Sequence, residues 1–84
     1  MIRHLAHALE AMSKRGIKPD WVADTIEQPD WTEPDVQPGR IRSYKAISDF
    51  GGRILRVVHW TEGPDIVVLT VYPDRDALKR RKLP

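Results

Sequence analysis

The sequence predicts an α+β domain: an N-terminal helix pair packed on one face of a small antiparallel sheet of three or more strands. Three observations carry this reading. Apolar residues recur at helical spacing up to Pro29, they alternate with period two from Arg40 onward, and a proline-rich stretch divides the two regimes. Eighty-four residues make 1–84 a single domain near the lower end of what buries a workable core. With no cysteine, neither a disulfide nor a thiolate metal site can staple it. A thin core of this kind favours self-association or a partner chain.

The helices are expected over about 4–28. Leu5, Ala8, Leu9 and Met12 follow the i, i+3, i+4, i+7 template, so His4 to Arg15 reads as an amphipathic helix. Lys14 and Arg15 suit the negative end of its dipole, Gly16 suits the left-handed position beyond the last turn, and Ile17 falls where a residue packs back on the helix. Pro19 opens a second helix with Val22, Ile26 and Trp21 on its apolar face, and Pro29 stops it. Residues 29–39 form a proline-rich connection without periodicity. The sheet is expected over about 40–72, with strands in "RIRSYKAI", "RILRVVHW" and "IVVLTVY" joined by turns at "DFGG" and "TEGPD". Short turns make antiparallel neighbours. The basic tail, 73–84, ends in a short helix or frayed segment.

Charge is segregated along the chain. Six acidic residues and no basic ones lie between Pro19 and Asp35. Five basic residues stand against Asp49 between Arg40 and Arg56, and five more against Asp76 from Arg75 to the end. Solvated surface is the plain reading. Two basic blocks flanking an acidic one also suit a polyanion held on one side of the domain. No apolar run reaches membrane-spanning length and the N-terminus lacks a signal-peptide core, so no membrane partner is expected and the location is expected to be cytoplasmic.

Several chemistries are disfavoured. His4 and His7 stand three apart on the expected helix and share a face, but further metal ligands come down to His59 and a carboxylate, too few for a convincing set. No metal and no cofactor are expected. The serines, Ser13, Ser43 and Ser48, stand in no nucleophile-elbow context, and "FGGR" joins two strands instead of cradling a phosphate. Metal-independent cleavage of RNA remains. It needs a base for the 2′-hydroxyl, an acid for the leaving oxygen and cations where charge grows on phosphate. The strands offer Arg42, Tyr44 and Lys45, then Arg56 and His59, then Tyr72. Alternation sets Arg56 on the face of Ile54, Val58 and Trp60, and His59 with Leu55 and Val57, so the two point opposite ways unless a bulge intervenes. The alternative is a solvated Arg56 and a His59 at a strand end.

"HALEAMSKRGI", then Val22 and Pro29, then "GGRILRVVHW" and "VVLTVY", resembles the bacterial family of domain of unknown function 4258 over His7 to Tyr72. His7, Arg15, Gly16, Ile17, Pro29, Thr70 and Tyr72 sit at matching positions, and Ala11 stands where members often carry arginine. "RGIKPDWVADTIEQP" and "RIRSYKAISDFGGRILRVVHWTEGPDI" are also similar to the BrnT-type toxins, ribonucleases of RelE-like fold paired with a DNA-binding antitoxin. The likeness stops at "TVYPDRD", where those toxins run into a Ser-Ala-Arg-like stretch. The resemblance implies a RelE/BrnT-like fold, RNA as substrate and a small antitoxin-like protein as partner. Catalytic candidates are then His7, Arg56, His59 and Tyr72; RNA-binding candidates are Arg42, Lys45, Arg53, Arg80 and Arg81. The competing reading is a non-catalytic module that binds protein or nucleic acid on the same scaffold.

Overall fold

The computed structural model describes residues 1–80. They form β1 (Ile2–His4), α1 (Ala6–Arg15), α2 (Pro19–Glu27), β2 (Trp31–Pro34), β3 (Ile41–Ile47), a 3₁₀ turn (Ser48–Phe50), β4 (Arg53–Glu62), β5 (Asp65–Pro73) and α3 (Ala77–Arg80). The class is α+β. The sheet is mixed and five-stranded, in the order β1-β5-β4-β3-β2. The meander β3-β4-β5 is antiparallel as expected, and both edges carry strands that the sequence did not announce.

At one edge β1 runs parallel to β5, Ile2 to His4 beside Ile66 to Val68. The expected helix start at His4 is therefore corrected to Ala6. Arg3 fixes the strand by pairing with Asp65 and Glu62, 3.3 and 3.5 Å away. At the other edge β2 pairs antiparallel with β3, setting Trp31 opposite Tyr44. The stretch 29–39 is thus part strand. Pro34 is tolerated because an edge strand has a side with no ladder partner to serve.

Helices α1 and α2 cover one face. Ala8, Met12, Ile17, Trp21 and Val22 pack on Ile47, Leu55, Val57, Val68 and Val71. The stripe on α1 is rotated from the expected one. Ala8 and Met12 are buried and Ala11 is partly so, whereas Leu9 is 53% exposed. Alanines at the contact let the helix lie close to β5, and the bulkier Leu9 is turned out. Gly16 closes α1 at φ 65°, and the Ile17 N–H donates to the Met12 carbonyl at 2.9 Å, which carries Ile17 back into the core.

The far face is partly covered too. Tyr44, Ile54 and Ala77 form a second cluster, with Trp31 packed against it, so the chain after β5 folds back over this face. In register, Tyr44 stands opposite Arg56 and Arg42 opposite Val58. A bulge between β4 and β5 leaves Leu69 unmatched, since Val58 faces Thr70 and His59 faces Val68. The extra residue lies on β5, so alternation along β4 is undisturbed. No helix among the described residues is long and apolar enough to cross a membrane.

Candidate functional site

The far face holds Arg56 in a closed arrangement. Its guanidinium lies 6.0 Å from the Tyr44 ring and 5.1 Å from the Tyr72 ring, and it donates to Asp74 at 3.5 Å. The side chains of Arg56 and Asp74 are only 14% and 7% exposed. Trp31 stacks on Tyr44 with ring centres 4.7 Å apart and planes 6° from parallel. The Tyr44 hydroxyl donates to Glu33 at 3.0 Å, and burial pushes its pKa up. Arg42 pairs with Asp35 at 2.7 Å. That hydrogen bond holds the Asp35 carboxyl below its ordinary range and raises Arg42 further. Arg40 completes the row over Trp60, 5.2 Å from the ring. The far face is therefore filled with paired charge, because Asp35 and Asp74 answer Arg42 and Arg56.

His59 lies on the opposite face, as β4 alternation requires. It is 8% exposed, and its Nε2 shares a 2.7 Å hydrogen bond with the Ser43 hydroxyl. Burial pushes its pKa down, which keeps the ring neutral. His59 and Arg56 are on different sides of the sheet, so they do not act on one atom. Lys45 is on the helix side as well, where it donates to the Gln28 carbonyl at 2.8 Å. Arg53 begins β4 on that side, exposed and 4.9 Å from the Phe50 ring. The six strand candidates thus divide between two faces, Arg42, Arg56 and Tyr72 on the far one and Lys45, Arg53 and His59 on the helix side.

One groove is bordered by two of the catalytic candidates, His7 from α1 and Tyr72 from the edge of β5, while the Tyr72 ring itself is turned to Arg56 on the far face. A groove of about 230 Å³ runs between α1 and the stretch of β5 beyond β1, lined by His7, Lys14, Arg15, Thr70 and Tyr72 among others. The groove exists because β1 pairs only with Ile66 to Val68, leaving the later part of β5 as an edge beside α1. His7 is exposed there, whereas His4 is half-buried on β1, so the two do not share a helix face. Beside the groove opens a larger cleft of about 650 Å³, lined by Arg15, Gly51, Gly52, Arg53, Ile54, Pro73, Asp74, Arg75 and Leu78. Arg15 lines both.

Arg15, Arg53 and Arg75 make no ion pair among the described residues. Asp74 sits in the cleft wall, but its carboxylate is taken by Arg56 and by the Asp76 N–H at 3.2 Å. The cleft therefore keeps an excess of positive charge and suits an anion. Arg15 and Arg75 were not among the expected site residues. Gly16 was the available signal, since a C-terminal glycine cap leaves Arg15 on the last turn at the edge of the helix–sheet junction. Arg80 ends α3 without a described side chain, and Arg81 lies outside the described residues. Among the described residues no three His, Asp or Glu side chains gather as a metal set.

Neither the curated proteins nor the solved structures include one that matches the chain. A family model described as a domain of unknown function, DUF4258, matches residues 5–73, which takes in α1, α2, the groove between α1 and β5, and the whole antiparallel meander. The chain belongs to the DUF4258 family.

Proposed function

We propose that this domain acts on RNA as a toxin-type, metal-independent ribonuclease, with the reacting phosphodiester in the groove between α1 and β5. The observation that carries the reading is Arg15, which joins the groove lined by His7 to a cleft with two further arginines that make no ion pair among the described residues. His7 is exposed, as a base for an incoming 2′-hydroxyl must be. In the reaction the 2′-hydroxyl gives its proton to His7 and the 2′-oxygen attacks phosphorus. The bond from phosphorus to the 5′-oxygen breaks, and that oxygen takes a proton from water at the open groove, since the Tyr72 ring is turned to Arg56 across the sheet. The products are a 2′,3′-cyclic phosphate and a 5′-hydroxyl. Arg15 stabilises the charge that grows on the phosphoryl oxygens. Two helices packed on one face of a sheet with long antiparallel strands support the RelE/BrnT-like reading, and with it a cytoplasmic protein held by a small antitoxin-like partner.

A second reading has its own observation. Arg56 and His59 are held inside the fold, one against Asp74 and the other against Ser43, which suits a module that binds RNA without cleaving it. Incubation with RNA in excess chelator separates the two. Cleavage to cyclic-phosphate ends, lowered a hundredfold or more by His7→Gln at unchanged stability, is the expected result. Binding without cleavage supports the second reading, and neither binding nor cleavage removes both.

A further inference from the structure

The groove and the cleft differ in size and in lining. At about 230 Å³ the groove has room for a phosphodiester and little else, whereas about 650 Å³ is within the range that takes a whole small ligand. The cleft also has two kinds of wall. Arg53 and Arg75 bring charge from the start of β4 and from the turn after β5, while Ile54, Pro73 and Leu78 bring apolar surface. Leu78 is 62% exposed and adds open apolar surface to that wall. Cations converging from elements distant in sequence repel one another, and a bound anion removes that repulsion. A charged rim beside an apolar wall fits a group with a phosphate at one end and a flat, weakly polar ring at the other.

We infer that the cleft is a nucleotide subsite, which takes the RNA residue next to the one whose phosphodiester lies in the groove. Arg53 and Arg75 hold the flanking phosphate, Pro73 and Leu78 receive the base, and Arg15 stands between the two phosphates. The inference rests on RNA being the ligand, as proposed above, and it names the substrate more closely. The minimal good substrate is an oligonucleotide with a phosphate on each side of the residue in the cleft, and a dinucleoside monophosphate is a poor one.

Two measurements test it, one of them independent of cleavage. Adenosine 3′,5′-bisphosphate titrated into ¹⁵N-labelled protein at low salt is expected to shift the amides of Gly51, Gly52, Arg53 and Arg75. Arg53→Gln with Arg75→Gln is expected to weaken that binding about tenfold or more. Both side chains are exposed, so the variant should keep its melting temperature, and Arg75→Gln alone serves where the double variant does not. In cleavage, a trinucleotide is expected to exceed a dinucleoside monophosphate about tenfold in kcat/KM, and the double variant is expected to remove that advantage. Shifts confined to the cleft without any cleavage keep the subsite and remove the ribonuclease. Cleavage with no shifts at Gly51 to Arg53, or shifts unaltered in the double variant, overturns the subsite.

Discussion

On the far face of the sheet, Arg42 and Arg56 each meet a carboxylate more buried than the arginine itself, Asp35 at 10% against 22% and Asp74 at 7% against 14%. At the cleft, Arg15, Arg53 and Arg75 meet no carboxylate among the described residues. The residue type is the same and the physical situation opposite. Where the partner is buried, the arginine is a structural cation: it neutralises a charge that would otherwise sit in a poor solvent, and it offers a phosphate little without leaving that charge exposed to the protein interior. Where no partner exists, the arginine is available. The difference separates arginines that hold the domain together from arginines that can recognise something.

Arg56→Met breaks the comparison hardest if it is wrong. The substitution removes the guanidinium that lies 3.5 Å from the buried Asp74 carboxylate, and with it the layer between Tyr44 and Tyr72. A loss of about 3 kcal/mol in urea unfolding is expected. Loss of activity in an Arg56 variant would then report unfolding, so it bears on catalysis only when stability is measured alongside. An Arg56→Met protein as stable as the parent would move Arg56 to the available group.

Ser43→Ala has a smaller expected cost, about 1–2 kcal/mol, because it strips a buried His59 nitrogen of its partner at 2.7 Å. His59 also gives a pH test. Its folded pKa is pushed below the ordinary value of 6.5, so below that pH the unfolded chain takes up the proton more readily than the folded one. The histidine contribution is complete above about pH 6.5 and is lost as the pH falls through and below that value. A melting temperature that drops between pH 7.5 and 5, with a shallower drop in His59→Gln, is the expected outcome. An unchanged slope in that variant would mean that another group sets it.

The antiparallel meander was legible because period-two alternation and glycine turns are local signals. Both edge strands escaped for a physical reason. β1 is three residues held by a parallel ladder to β5, more than sixty residues away, and β2 lies between prolines that read as connection. The opposed directions of Arg56 and His59 followed from alternation alone, since the bulge falls on β5 and leaves β4 in phase. What alternation cannot reveal is the partner. Asp74 reads as one more turn residue, yet its position over Arg56 decides whether that arginine is structural. His7 came to lie beside the edge of β5 through the same kind of long-range packing, and the edge left by β1 explains the groove there.

The smallest expected effect on stability carries the sharpest test of the comparison. Arg53 is exposed and touches the Phe50 ring, so Arg53→Gln should change unfolding free energy by no more than about 0.5 kcal/mol. Each phosphate neutralised on single-stranded RNA contributes about 0.7 to the slope of log K against log salt, so the same variant should flatten that slope by about that amount. Arg42→Gln should do the reverse. It leaves Asp35 without its 2.7 Å partner and lowers stability, while the salt slope stays where it was, because the charge of Arg42 is already answered within the fold. Equal slopes in the two variants would mean that Asp35 gives up Arg42 when RNA arrives, and the division between structural and available arginines would fall at the far face first.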